Sequence, residues 1–365
     1  MLLINDLLRH NQKIMGELSV AISSVLESGW YVLGKQVEEF EREFAAYCQT
    51  EHCISVANGT DALELALRAL GITSGDKVIT VANAGAYSTT AILAVGATPL
   101  YVEIDADTLL LSVNHLRGLI SAETRAIVVT HLYGQVAPVD VVLTAAAEYG
   151  IPIIEDCAQA HGALFNGRRV GSWGALGCFS FYPTKNLGSL GDGGAVTTND
   201  DELAKRVQML RQYGWLSKYK IALPGGRNSR LDELQAAILR VKLPYLDNWN
   251  QRRYEISQLY VVGIRHSLVT LPRIAAGSFV GHLFVVRSPR RDELRVHLKQ
   301  NQIMSEVHYP IPDYRQPALA TLFPSISLPA TERTCGEILT LPCFPEMSDA
   351  EVQSVIDAVN GWSAT

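Results

Sequence analysis

The strongest constraint on this chain is an alternation, repeated from residue 37 to residue 198, of short apolar runs and segments with helical spacing. Val37, Phe40 and Phe44 recur at helical intervals, and an apolar run over 53–57 follows them. Asn58-Gly59-Thr60-Asp61 breaks that run and opens a helix over 62–70, which Gly71 ends. Further strands are predicted at 77–81, 99–104, 126–130, 152–155, 178–182 and 194–198, with helices at 87–95, 113–121 and 140–149. Strands alternating with helices fold as βαβ units around one largely parallel sheet. Near residue 245 the pattern changes to a long polar and aromatic helix over 245–260. Shorter segments at 281–286, 294–300 and 348–359 then predict a smaller α+β domain. The expected division is a large domain over 1–245, whose N-terminal segment packs on the small one, and a small domain over 246–365.

Composition removes several function classes. The balance of 31 Lys+Arg against 37 Asp+Glu gives a net charge of −6, the opposite of what a nucleic-acid surface demands. No run approaches the ~20 apolar residues of a membrane span, and the N-terminus lacks the pattern of a signal peptide. Among Cys48, Cys53, Cys157, Cys178, Cys335 and Cys343 no pair has CxxC spacing, so no zinc motif is present and no metal is expected. These features read as a reduced, cytoplasmic protein.

In open α/β sheets ligands bind beyond the carboxyl ends of the strands, which directs attention to the polar residues there. The predicted strand 178–182 runs into Lys185, and four glycines follow within Gly188–Gly194. A lysine partly removed from water can serve as an amine nucleophile toward an aldehyde such as pyridoxal phosphate (PLP). By itself this stretch also reads as a solvated loop lysine. Asp156, at the end of the run 152–155, supplies the carboxylate that keeps a pyridinium nitrogen protonated. Alternation sends its neighbour Glu155 to the opposite side. Asp156 could equally cap a helix. Gly59 and Thr60 open a helix whose first N–H groups suit a phosphate, with Ser180 able to add a hydroxyl; a plain cap by Asn58 or Thr60 is the ordinary alternative. Together the three elements supply a phosphate cradle, a pyridinium partner and an aldehyde-binding amine. Neither a Walker loop nor an opening GxGxxG is present.

These residues resemble the DegT/DnrJ/StrS aminotransferases, PLP enzymes acting on sugar nucleotides. The similarity runs from Phe40 to about Tyr309. It rests on Asn58-Gly59-Thr60-Asp61-Ala62-Leu63, Glu155-Asp156-Cys157-Ala158-Gln159-Ala160-His161-Gly162, Ser180 with Lys185, Gly191-Asp192-Gly193-Gly194 and Asn228-Ser229-Arg230-Leu231-Asp232-Glu233. The resemblance implies an aspartate-aminotransferase-like fold (fold type I) with a seven-stranded sheet, and a homodimer. It assigns Lys185 to the cofactor aldehyde, Asp156 to the ring nitrogen and Gln159 to packing against the ring. Gly59, Thr60 and Ser180 would hold the phosphate, and Asn228 would reach the phosphate of the partner subunit.

Finer features, His131-Leu132-Tyr133-Gly134-Gln135, Tyr213-Gly214-Trp215 and Val307-His308-Tyr309-Pro310, are similar to the 3-ketosugar aminotransferases. These aminate dTDP-3-keto-6-deoxyhexoses with L-glutamate as donor. Tyr182, Lys218, His308 and Tyr309 would then line the sugar-nucleotide site. The alternatives are amination at C4 and a non-catalytic PLP-binding regulator. A dehydratase would be expected to carry histidine where Lys185 stands. One departure concerns the aromatic that stacks on the ring in family members: its position holds Gly85, and Tyr87 lies two residues later.

Overall fold

The computed structural model describes residues 1–363. One seven-stranded sheet dominates it: β1 (His52–Val56), β2 (Lys77–Val81), β3 (Thr98–Val102), β4 (Thr124–Thr130), β5 (Ile153–Asp156), β6 (Leu176–Ser180) and β7 (Gly194–Thr198). Their order across the sheet is β1-β7-β6-β5-β4-β2-β3. Only β7 runs against the rest, antiparallel to both β1 and β6. The strands are continuous apolar runs because helices cover both faces, so alternation with polar residues is unnecessary.

Large apolar clusters cover both faces of the sheet. Helix Gly59–Ala69 buries Ala62, Leu65, Ala66 and Ala69 against Ile54, Val128, Ile154 and Val196. On the other side helix Lys35–Cys48 places Phe40 and Phe44, one turn apart, against Phe179 and Phe181 in edge-to-face contacts at 5.0–5.3 Å. Truncating such a ring to alanine costs about 3–5 kcal/mol, so the strand end that leads to Lys185 is firmly seated.

Helix Leu246–Gly263 crosses to a smaller unit, where strands Phe284–Arg287 and Ile338–Leu341 pair antiparallel under helices Arg291–Gln300 and Asp349–Asn360. The N-terminus joins this unit: Leu2 bridges to Ile303, and Arg9 pairs with Glu351 at 2.8 Å. All six cysteines are buried and unpaired. Among the described residues no helix is long and apolar enough to cross a membrane.

Candidate active site

The carboxyl ends of β1, β5 and β6 open on a cleft of about 650 Å³. Its walls include Gly59, Thr60, Tyr87, Asp156, Ser180, Tyr182, Lys185, His308 and Tyr309. Nine of the residues singled out from the sequence therefore meet in one place.

The sheet register builds the phosphate end. Gly194 lies between Val56 of β1 and Ser180 of β6. A side chain on Gly194 would strike the Asn58 carbonyl, and a Cβ on Gly59 would lie 2.6 Å from that of Ser180. Only glycines let the start of helix Gly59–Ala69 approach the end of β6 this closely. Asn58 caps that helix by accepting from the Asp61 N–H at 2.8 Å, so the cap and the anion site coexist. The N–H groups of Gly59 and Thr60 are left facing outward at the positive end of the helix.

The two adjacent carboxylates of β5 have separate fates. Glu155 turns away from the cleft and is saturated by N–H groups of Gly171, Trp173 and Gly174 at 2.7–2.9 Å and by His131 at 3.0 Å. The Ala137 N–H donates to His131 Nδ1, so the imidazole hydrogen sits on Nε2 and points at Glu155. Asp156 instead faces the cleft. It accepts from the Ala158 N–H at 3.2 Å, and Ser88 Oγ approaches only to 3.5 Å. No helix follows Asp156, which removes the capping alternative. Burial raises its pKa, with the Ala158 N–H and the Lys185 charge opposing. Such a carboxylate gains most from a cationic N–H placed against it.

Lys185 sits half-buried at the floor. Burial lowers its amine to about 8, and Asp156 opposes the shift. No side-chain hydrogen bond or ion pair engages Nζ among the described residues. A second lysine, Lys242, is buried and lowered to about 8 as well, but its Nζ donates to the Gly188 carbonyl at 2.8 Å and does not line this cleft. A depressed amine is thus not sufficient; Lys185 differs by opening on a cleft that holds a carboxylate.

The rim residues are placed less uniformly than those of the floor. Gln159 does not line the cleft, because its carboxamide is spent on the Tyr133 N–H at 2.7 Å and the Tyr309 hydroxyl at 3.1 Å. Tyr309 meets Tyr87 edge-on at 6.0 Å, and the two rings crowd the space above Gly85, whose φ of 84° suits glycine. Tyr87 thereby reaches the cleft wall despite the shifted position. His308 is held by Thr340 Oγ1 at 2.8 Å and lies 3.4 Å from Glu306; burial lowers its pKa. Lys218 and Asn228 are exposed and lie outside this cleft. Residues that sequence reasoning missed are Asn5, Asp192, His282, Glu306 and, behind the floor, Asn186. The only local signals are the adjacency of Asn186 to Lys185 and the place of Asp192 in the Gly191–Gly194 run.

The cleft fits PLP on its own terms: a cradle that a Cβ would fill, a buried carboxylate short of partners and an unengaged amine. Comparisons with known proteins agree. The profile of the DegT/DnrJ/EryC1/StrS aminotransferase family matches residues 12–360. The dTDP-3-amino-3,6-dideoxy-alpha-D-galactopyranose transaminase of Aneurinibacillus thermoaerophilus is 48% identical over 358 residues, covering 98% of each chain. The crystal structure of DesV from S. venezuelae, in complex with a ketimine intermediate, superposes with a TM-score of 0.95 at 45% identity over 98% of this chain and 97% of that one. NtdA from Bacillus subtilis, with bound cofactor PMP, gives 0.90 at 28% identity over 95% and 81%. The chain belongs to the DegT/DnrJ/EryC1/StrS aminotransferase family, and its cofactor is PLP.

Proposed function

We propose that the cleft transfers the amino group of L-glutamate to C3 of a dTDP-3-keto-6-deoxyhexose, giving the dTDP-3-amino-3,6-dideoxyhexose. The convergence of Lys185 and Asp156 beside the Gly59–Ser180 cradle carries the chemistry. The relatives at 45–48% identity support the substrate. PLP, when bound, supplies the electron sink that lets an amino group and a proton leave one carbon for another.

The chain's own groups do the rest. Gly59, Thr60 and Ser180 bind the phosphate and fix its depth. Asp156 holds the proton on the ring nitrogen. Lys185 Nζ, about half uncharged near pH 8, takes a proton from the donor's α-carbon and returns one during transfer to the sugar. An ordinary lysine would be uncharged in only about one molecule in several hundred at that pH. Tyr182, His308 and Tyr309 line the mouth, where the sugar nucleotide enters. Lys218 and Asn228 reach a site only when a second copy of the chain presents them, so the working form is a homodimer with shared sites.

Incubation with PLP, L-glutamate and each of the two C4 epimers of dTDP-3-keto-6-deoxyhexose tests the reading. The expected products are 2-oxoglutarate and a sugar whose new amine NMR places on C3. Amination of a 4-ketosugar instead, or an absence of turnover with both epimers, would sink it.

A further inference from the structure

The cleft floor offers one buried acceptor whose state follows from its partners. Asn186 Nδ2 donates to Asn250 Oδ1 at 2.8 Å and to the Val280 carbonyl at 3.0 Å. Both amide hydrogens are taken, so Asn186 Oδ1 is an acceptor. Asn250 Nδ2 donates in turn to the His161 carbonyl at 2.7 Å, which fixes the direction of the chain of amides. His282 Nδ1 lies 3.0 Å from Asn186 Oδ1 and therefore carries the ring hydrogen. Burial holds the ring far below its ordinary pKa, so it is neutral and Nε2 is a lone pair. His282 is 7% exposed and lines the cleft. Among the described residues nothing donates to Nε2, the neighbouring Lys185 amine included. Both ring nitrogens of His161 are also unpartnered, but they are sealed in the protein, whereas Nε2 of His282 is not.

We propose that His282 Nε2 accepts the hydrogen of a hexose hydroxyl on a carbon flanking the reacting C3, and so selects for sugars that carry that hydroxyl. This rests on reading the substrate as a 3-keto-6-deoxyhexose nucleotide. A fixed neutral lone pair discriminates among oxygens. The carboxylates of the amino donor, the phosphates and the sugar ketone bring no hydrogen and are disfavoured against it. The travelling amino group is committed to the reacting carbons. The hydroxyls at C2 and C4 remain, one on each side of C3. Asn186, which orients His282, directly follows Lys185, so acceptor and reacting amine share one stretch of floor. Other groups suit the role less: His308 is engaged by Thr340, and the Glu306 side chain, 46% exposed, turns toward His308 at 3.4 Å. Asn250 on helix Leu246–Gly263 and the Val280 carbonyl brace Asn186, so the direction of the lone pair is set before any sugar enters.

Affinity separates this role from a purely structural one. The full-length chain loaded with PLP is titrated calorimetrically with dTDP-6-deoxyglucose, which has no ketone and cannot turn over, and with its 2-deoxy and 4-deoxy counterparts. One of the two deoxy sugars should bind about tenfold more weakly than the parent, and its identity names the carbon. His282→Asn keeps a donor near the Nδ1 position for Asn186 and removes the cleft acceptor. In that variant the tenfold difference should collapse, with the parent sugar weakened to the level of the deoxy one. Equal affinity of all three sugars for the wild type, or a difference that survives in His282→Asn, overturns the proposal.

A second measurement leaves His282 intact. In the ¹⁵N spectrum its Nε2 resonance should move toward that of a hydrogen-bonded imidazole nitrogen further with the parent sugar than with the counterpart lacking the hydroxyl. A resonance that is the same with all three sugars overturns the proposal. Failure of the substrate reading has a different signature: none of the three nucleotides binds, and both readings fall together. Binding without selectivity removes the hydroxyl acceptor alone and leaves the substrate reading standing.

Discussion

At the cleft floor, Gly59, Asp156, Ser180 and Lys185 hang from strand ends that the sheet register and the Phe40–Phe44–Phe179–Phe181 cluster hold in place. The rim residues Lys218 and Asn228 stand on an exposed hairpin and on an isolated bridge to Gln212. Around Lys218, Leu216, Tyr219 and Ile221 are 62%, 78% and 66% exposed. Apolar side chains grouped this openly mark a surface that gains by being covered. The contrast teaches that one chain brings the floor residues together by itself, whereas Lys218 and Asn228 stand apart from that floor on an open surface.

Predictions at the floor should be large. Lys185→Ala should cost at least about 10³-fold in turnover while the melting temperature stays within a few degrees, because Nζ has no protein partner to lose. Full activity in that variant would break the assignment of the floor as the reacting centre. Asp156→Asn should retain cofactor, read from its absorbance after dialysis, and lose about 10²-fold in kcat. Glu155→Gln sharpens the point from the other side of β5. It disturbs four donors far from the cleft, so its cost should appear in stability.

Much of the floor was legible because strand ends are marked locally. The bounds of β2 and β7 agree with the sequence reading, and the opposite facing of Glu155 and Asp156 follows from alternation alone. The predicted strand at 178–182 is displaced by two residues. Phe181 continues the apolar run, and its N–H still reaches the Gly193 carbonyl in the register of β6 and β7, although β6 itself ends at Ser180. His282, Glu306 and Asn5 were illegible for a different reason. The strand at 284–287 begins later than expected because Gly281 turns the chain at φ 58°, sending His282 to the floor. Asn186 and His282 are 96 residues apart, and only packing of the small unit brings them together.

Between floor and rim, Asp313 supports the turn that carries Tyr87, and it gives a smaller, pH-dependent effect. Its carboxyl accepts from the Ala86 N–H at 2.9 Å and from Thr89 Oγ1 at 2.6 Å, and burial raises its pKa to about 7. The fold therefore binds a proton that the unfolded chain releases near pH 4, and stability falls as pH rises from there through 7. The neutral His161 and His282 carry the opposite slope below about pH 6.5, so the contribution is read against a variant. Between pH 5 and 8, chemical denaturation should show wild type losing about 2 kcal/mol relative to Asp313→Asn. Parallel profiles would remove Asp313 as the titrating support.

The smallest effect tests the rim most directly. Lys218→Ala and Asn228→Ala, each in all copies, should raise KM for the sugar nucleotide or the requirement for PLP by about tenfold and leave stability unchanged, as exposed positions do. Site sharing can be separated from a change of shape by mixing chains. When Lys185→Ala and Asn228→Ala chains are unfolded together and refolded as dimers, a hybrid has one site lacking both residues and one site with both intact. Equal mixing makes about half of the dimers hybrid and should restore about a quarter of the wild-type activity. If each site drew Lys185 and Asn228 from the same chain, no hybrid would contain an intact site. Activity would then stay at the level of the separate variants, and the floor and the rim would have to meet within one chain by a movement of the hairpin.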